Sequence, residues 1–240
     1  MIHHKIYPKN YDELCQLVDA KNVYQEGRIR IDNQVDGLRR LGLPIDENHK
    51  SVSKLIMKIE RQVTKEYVKI VKQLPIWNEW LKGIHGISED GAGQLISGLN
   101  DISQFDTVSK LWSYVGYGLY DGNIQGLKNG QKHNYNHKLR AKVYTIIDLG
   151  FVMHKKDSYY GQLYDVYKKE YRKKYPEPIL NPNYVPPKKK GGKGAGFKQL
   201  YTDGHIRRMC IRKIAKKFLK DLWINWRKIE GLSITEPYNN

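Results

Sequence analysis

Apolar residues recur every three or four positions over most of the chain, and that period predicts helices. Between residues 11 and 41, Leu14, Leu17, Tyr24, Ile31, Val35 and Leu38 share one face, with Lys21 and Arg28 interrupting the stripe. Gly42 and Pro44 end the run, the glycine by accepting a left-handed cap and the proline by refusing helical continuation. A second helix is predicted from Ser51, read as its N-cap, with Val52, Leu55, Ile56, Ile59, Val63, Tyr67, Ile70 and Leu74 as its apolar face. Two long helices joined by a short loop make an antiparallel helical hairpin or coiled coil over residues 1–74. The pair either packs on the rest of the chain or forms a homodimer; the pattern suits both.

From Pro75 the texture changes, and a second domain is read over 75–240. Gly, Ser, Asn and Asp are frequent through residue 137, which predicts short helices and tight turns. Helical spacing returns at 138–153 (Leu139, Val143, Ile146, Ile147, Phe151) and at 158–175, where Tyr160, Tyr164, Tyr167, Tyr171 and Tyr175 form a stripe. That stripe is read as core packing against Phe218 and Trp226 ahead of a platform for unpaired bases. The segment 176–198, with Pro186-Pro187-Lys188-Lys189-Lys190-Gly191-Gly192-Lys193-Gly194, has little to bury and reads as a flexible basic loop. A final helix covers 204–230, where Ile206, Cys210, Ile214, Phe218, Leu222 and Trp226 repeat at four-residue steps. No strand alternation and no internal repeat stand out, so the fold class is all-α.

Charge then narrows the partners. The 240 residues hold 42 Lys and Arg against 25 Asp and Glu, a formal charge of +17. Such an excess repels itself and is best tolerated when a polyanion supplies the counter-charge. Nucleic acid is the expected polyanion, because no stretch approaches the ~18 consecutive apolar residues of a membrane span. The start, Met1-Ile2-His3-His4-Lys5, lacks the apolar core of a signal peptide, so a cytoplasmic protein associated with a nucleoid or replicon is expected. Cys15 and Cys210 stand far apart, which argues against a disulfide framework or a thiolate metal site. His133 and His137 are four apart, but the turn-rich stretch between them offers no third ligand, so polar or phosphate-contacting roles are favoured over metal. No cofactor is called for.

The most informative stretch is Trp80-Leu81-Lys82-Gly83-Ile84-His85-Gly86-Ile87-Ser88-Glu89-Asp90-Gly91-Ala92-Gly93. A helix end, apolar–X–Gly–apolar–small, and a helix with small inner residues is the layout of a helix-hairpin-helix. Gly86 lets the backbone approach a phosphate in a conformation that a β-carbon hinders. Ile84 and Ile87 plug the turn, and the helix starting near Ser88 turns unpaired N–H groups and its positive end toward the phosphate. Gly91, Ala92 and Gly93 allow close helix packing. The commoner form has Pro at the position of His85 and Gly at that of Ser88, while Glu89 and Asp90 carry charge that opposes a phosphate. The bland reading is an ordinary corner between helices. Contacts of this type grip the backbone, with little sequence preference.

Gly86-Ile87, Asp101-Ile102-Ser103-Gln104-Phe105, Leu111-Trp112-Ser113-Tyr114-Val115-Gly116-Tyr117-Gly118, the basic run Lys132 to Arg140 and the ending Leu222-Trp223-Ile224-Asn225-Trp226-Arg227 form an ordered series. The series resembles the C-terminal domain of the bridge-RNA-guided insertion-sequence transposases, in a short stand-alone form that begins with the helical pair. The resemblance spans residues 11–238. It implies DNA binding and DNA recombination within a mobile element, virus or plasmid. Full-length members also carry a RuvC-like nuclease domain with an acidic tetrad, which has no counterpart before residue 51. They place a serine nucleophile where this chain has Tyr120-Asp121-Gly122-Asn123-Ile124-Gln125-Gly126-Leu127-Lys128, with neither Ser nor Thr. Asn and Gln cannot replace an attacking hydroxyl. No catalytic residue is therefore assigned, and Tyr120 is the one nearby hydroxyl.

The expectation is a DNA-binding protein gripping duplex or branched DNA through Lys82, His85, Gly86, Ile87 and Ser88. Lys128, Lys132, Lys138 and Arg140, with Arg207, Arg208 and Arg212 of the last helix, extend the footprint. The alternatives are a recombinase subunit acting with a partner nuclease and a module for structured RNA.

Overall fold

A computed structural model of the chain describes residues 9–120, 122–124, 132, 134–186 and 198–235. The fold is all-α, as the three-to-four-residue spacing predicts. The described residues cluster into two compact units. The first takes Ile87–Gln104 together with the chain up to Gly83; the second takes Ile84–Gly86 and the chain from Phe105 on.

The first unit contains α1 (Lys9–Arg40), α2 (Glu47–Val71), α3 (Pro75–Glu79) and α4 (Glu89–Leu99). Helices α1 and α2 run antiparallel. Arg28 meets Glu60, while Asp32, one turn further along α1, accepts from Ser53 earlier in α2. The Arg28 fork closes on Glu60 through Nε–Oε1 at 2.6 Å and Nη2–Oε2 at 3.3 Å, with Glu60 buried. Slipping the pair by a turn would leave that carboxylate buried without its partner, at about 3–5 kcal/mol, so the pair fixes register. Helix α2 starts before Ser51. Asp46 caps it by accepting from the Asn48 amide at 2.8 Å, and its charge suits the positive helix end, so the helix gains a turn that the apolar spacing alone does not show. The predicted apolar face of α2 divides: Tyr67, Ile70 and Leu74 are buried, whereas Val52, Leu55 and Ile59 are exposed. Helix α4 packs on the buried halves of α1 and α2. A β-carbon on Gly93 would meet Tyr67 and Val71 at 3.0–3.1 Å, which is the close packing that the small residues predict.

The second unit is organised around α8 (Asp203–Ile229). Its predicted stripe is buried throughout, from Ile206 to Trp226. Packed with it are α5 (Val108–Val115), α6 (His137–Thr145) and α7 (Tyr159–Lys174). Helix α6 runs into a π-helical segment at Ile146–Val152, so the single helix expected at 138–153 changes pitch midway. Tyr160 lies 5.0 Å from Phe151 and 5.3 Å from Phe218, ring centre to ring centre, so the start of the tyrosine stripe is core. The carbonyl of Phe105 accepts from Trp223 Nε1 at 2.6 Å and from the buried Arg227 at 3.1 Å.

Two short antiparallel pairings depart from the strand-free expectation. One joins β1 (Leu119–Tyr120) to β2 (Asn123–Ile124), the other β3 (Ile179–Leu180) to β4 (Gln199–Leu200). Two residues cannot display an alternation, so no period announces them. The second pairing ties together the ends of the segment expected to be a flexible loop; 187–197 of that segment lie outside the described residues.

Candidate nucleic-acid interface

The hairpin stretch is divided between the units: Lys82, Ile87 and Ser88 belong to the first, and Ile84–Gly86 to the second. Gly86 has φ +100, a region closed to side-chain-bearing residues, and its backbone lies directly against Gly150 of the π-helical segment. Widening from α to π pitch gives this stretch its own backbone path, and Gly150 has no β-carbon to keep the turn away. The turn itself is half-buried, and His85 is exposed, with its ring edge-on to His154 at 6.2 Å. Among the described residues, no carbonyl accepts from the amides of His85 and Gly86. Adjacent amides with no carbonyl acceptor are suited to an anion.

In the first unit, Ser88 caps α4, its hydroxyl accepting from the Gly91 amide at 3.1 Å, and Ile87 is buried. Lys82 and Ser88 are exposed. The two acidic residues of the first turn are both engaged within the protein. Asp90 accepts from the Tyr67 hydroxyl and from Gln94 Nε2, and Glu89 pairs with Lys72 at 3.3 Å. Burial and then Asp90 push the Tyr67 hydroxyl far above the ordinary tyrosine range. Glu89 is held below the ordinary carboxylate range by its own amide and by Lys72. Their charges are thus partly offset, which lessens the repulsion that the sequence predicts at this helix end.

The basic run of α8 sorts into two groups. Arg207 is paired with Asp148 of the π-helical segment and lies over Tyr164, so part of its charge is taken up within the protein. Lys213 pairs with Glu170 at 2.7 Å and caps the Tyr167 ring at 3.9 Å. Lys216 covers Trp112 at 4.0 Å, and Lys217 pairs with Asp221 at 2.7 Å. Arg208 and Arg212, one turn apart, line a cavity of about 280 Å³ that Arg140 of α6 also lines. Arg140 and Arg212 both sit over the buried Tyr117 ring, at 5.6 and 6.0 Å. Arg212 Nη2 donates to the carbonyls of Tyr117 and Gly118 at 2.7 and 2.9 Å, while its Nη1 is buried and has no partner among the described residues. Burial and then the neighbouring Arg140 lower the pKa of Arg212. Three arginines that the sequence assigns to one footprint, from positions 68 to 72 apart (208 − 140 = 68, 212 − 140 = 72), therefore converge.

Of the other predicted residues, Lys132 and Lys138 are exposed, and Lys128 lies outside the described residues, as does most of the segment where a serine nucleophile is missing. Sequence reasoning does not find Tyr144, His205 or Met209, which complete the cavity wall. Tyr144 follows Arg140 by one helical turn and His205 precedes Arg208 by three residues, spacings that become informative once both arginines are known to face one space.

Among the described residues, no group of three His, Cys, Asp or Glu side chains could hold a metal ion, and no helix is long and apolar enough to cross a membrane. No family model matches the sequence, and no curated protein matches it significantly.

Proposed function

We propose that this protein binds DNA by its sugar-phosphate backbone, as a DNA-binding component of a mobile element, virus or plasmid. The observation that carries the reading is the meeting of Arg140, Arg208 and Arg212 on one cavity. A concave surface with three guanidinium groups concentrates positive potential, which attracts a polyanion. The amides of His85 and Gly86, which meet no backbone carbonyl among the described residues, add a second phosphate contact of the kind helix-hairpin-helix elements make. The mobile-element context comes from the sequence resemblance.

Polarisation titrations with labelled duplex DNA, branched DNA and structured RNA test the reading. The DNA forms are expected to bind more tightly than the RNA. Arg208→Ala should weaken DNA binding by about tenfold, the equivalent of one charge-assisted contact at roughly 1.4 kcal/mol. RNA binding that exceeds DNA binding would move the reading to the structured-RNA alternative. Binding to neither would end it.

A further inference from the structure

The cavity beside Arg140 and Arg212 holds more than a phosphate needs. An anion site requires only donors, yet much of this wall is apolar or aromatic, from Ile124 on the β2 strand, Tyr144 on α6 and Met209 on α8. Its volume of about 280 Å³ is just below the roughly 300–1,000 Å³ of small-molecule sites. That is room for one planar ring and its sugar, and too little for a run of stacked nucleotides. At one side, the guanidinium groups of Arg140 and Arg212 are held on Tyr117, and Arg212 is anchored through one terminal nitrogen.

The rim is also unusual. His205 lines the cavity and is nearly parallel to Tyr201, at 5.6 Å and 6°, which in turn stacks on Tyr175 at 3.7 Å and 5°. Tyr201 keeps φ +60, a conformation that side-chain-bearing residues rarely adopt. The turn is held in place by Arg172, which donates to the Tyr201 carbonyl at 2.9 Å and to Asp203 at 2.5 Å. The Tyr201 amide donates to His205 Nδ1 at 2.9 Å, which fixes the imidazole. The strained turn thus fixes His205 as a rigid aromatic edge of the arginine-lined cavity.

We propose that this cavity receives one unstacked nucleotide of the bound DNA strand, its phosphate held by Arg140 and Arg212 and its base against Tyr144 and the apolar wall. The inference rests on the DNA-binding reading and specifies the form of DNA preferred. A base within a duplex must first leave its stack, whereas an unpaired one is already free. The site therefore selects DNA that carries a bulge, gap or frayed end.

The test compares a fully paired 20-base-pair duplex with the same duplex carrying one central unpaired 2-aminopurine, using the full chain. The bulged duplex should bind about tenfold more tightly, and the 2-aminopurine emission should fall by at least twofold as the base stacks on protein. Tyr144→Ala should cut the preference below threefold, and Tyr144→Phe, which keeps the ring, should retain it. Equal affinity for the two duplexes with unchanged emission, while paired DNA still binds, would overturn this inference and leave the DNA-binding reading standing. Failure to bind either duplex would remove both. Displacement of the bulged duplex by free deoxyadenosine monophosphate, at concentrations that leave paired DNA bound, would show a mononucleotide site and also overturn the strand assignment.

Discussion

Gly86 and Gly150 meet backbone to backbone: a β-carbon on either one would collide with the carbonyl oxygen of the other. The contact places the hairpin turn on the π-helical segment of the second unit. It predicts two unequal losses. Gly86→Ala combines the collision with a side chain at φ +100, so it should lower the unfolding free energy by about 3 kcal/mol or more. Gly150→Ala carries only the collision and should cost about 2 kcal/mol. Guanidinium denaturation checks both, and a cost below about 1 kcal/mol at Gly86 would contradict the contact.

Tyr67 and Asp90 make a second prediction. The tyrosine is fully buried and its hydroxyl donates to the carboxylate. Tyr67→Phe keeps the packing against Gly93 but removes a hydrogen bond to a charged acceptor, so stability should fall by about 2 kcal/mol. It also returns the Asp90 charge to the start of α4, so any DNA affinity should fall rather than rise. A variant as stable as the parent in urea titration would show that the bond contributes nothing.

Arg227 is buried beneath the chain end, bonded to Ser233 O at 2.7 Å and Phe105 O at 3.1 Å, over the Trp223 ring at 5.2 Å. Arg227→Met preserves volume but removes charged donors from both carbonyls, which should cost about 2–3 kcal/mol. Arg227→Lys should recover only part, since an ammonium lacks the planar fork that reaches both. Thermal unfolding of the two variants, with the lysine as stable as the parent, would contradict this role.

His205 gives the pH dependence. Its pKa is lowered, first by burial and then by Arg208. The folded value therefore lies below the unfolded value of about 6.5, and between the two the unfolded chain binds more protons. This contribution is present above the unfolded value and is lost as pH falls through the folded one. The melting temperature should drop as pH goes from 7 toward 5, and His205→Gln should make the drop shallower. An unchanged slope in the variant would assign the effect to other groups.

Much of the fold was legible because long amphipathic stripes report directly on burial. The α8 stripe from Ile206 to Trp226 and the antiparallel pair both follow from spacing. What spacing could not show depends on partners distant in sequence. Ser51 read as a cap because it precedes apolar residues, yet Asp46 adds a charge suited to the helix end and starts α2 sooner. Val52, Leu55 and Ile59 fit the stripe and are nevertheless exposed, because helix period reports a face and not what covers it. The turn at Gly86 was readable from its glycine; its partner Gly150 was not, since a glycine within a helical pattern carries no sign of what approaches it. The arginines split in the same way. Arg207 and Arg208 are adjacent in sequence, but Asp148 takes the first and the cavity the second.

The central claim, that phosphate contacts hold this protein on DNA, is tested most directly by the salt dependence of duplex affinity. About six phosphates neutralised at ~0.9 counterion each predict a slope near −5 for log affinity against log salt concentration. Replacing both Arg140 and Arg208 with alanine should reduce the slope by about 2. An affinity that does not change between low and high salt, or a slope that both substitutions leave as it was, would contradict the account.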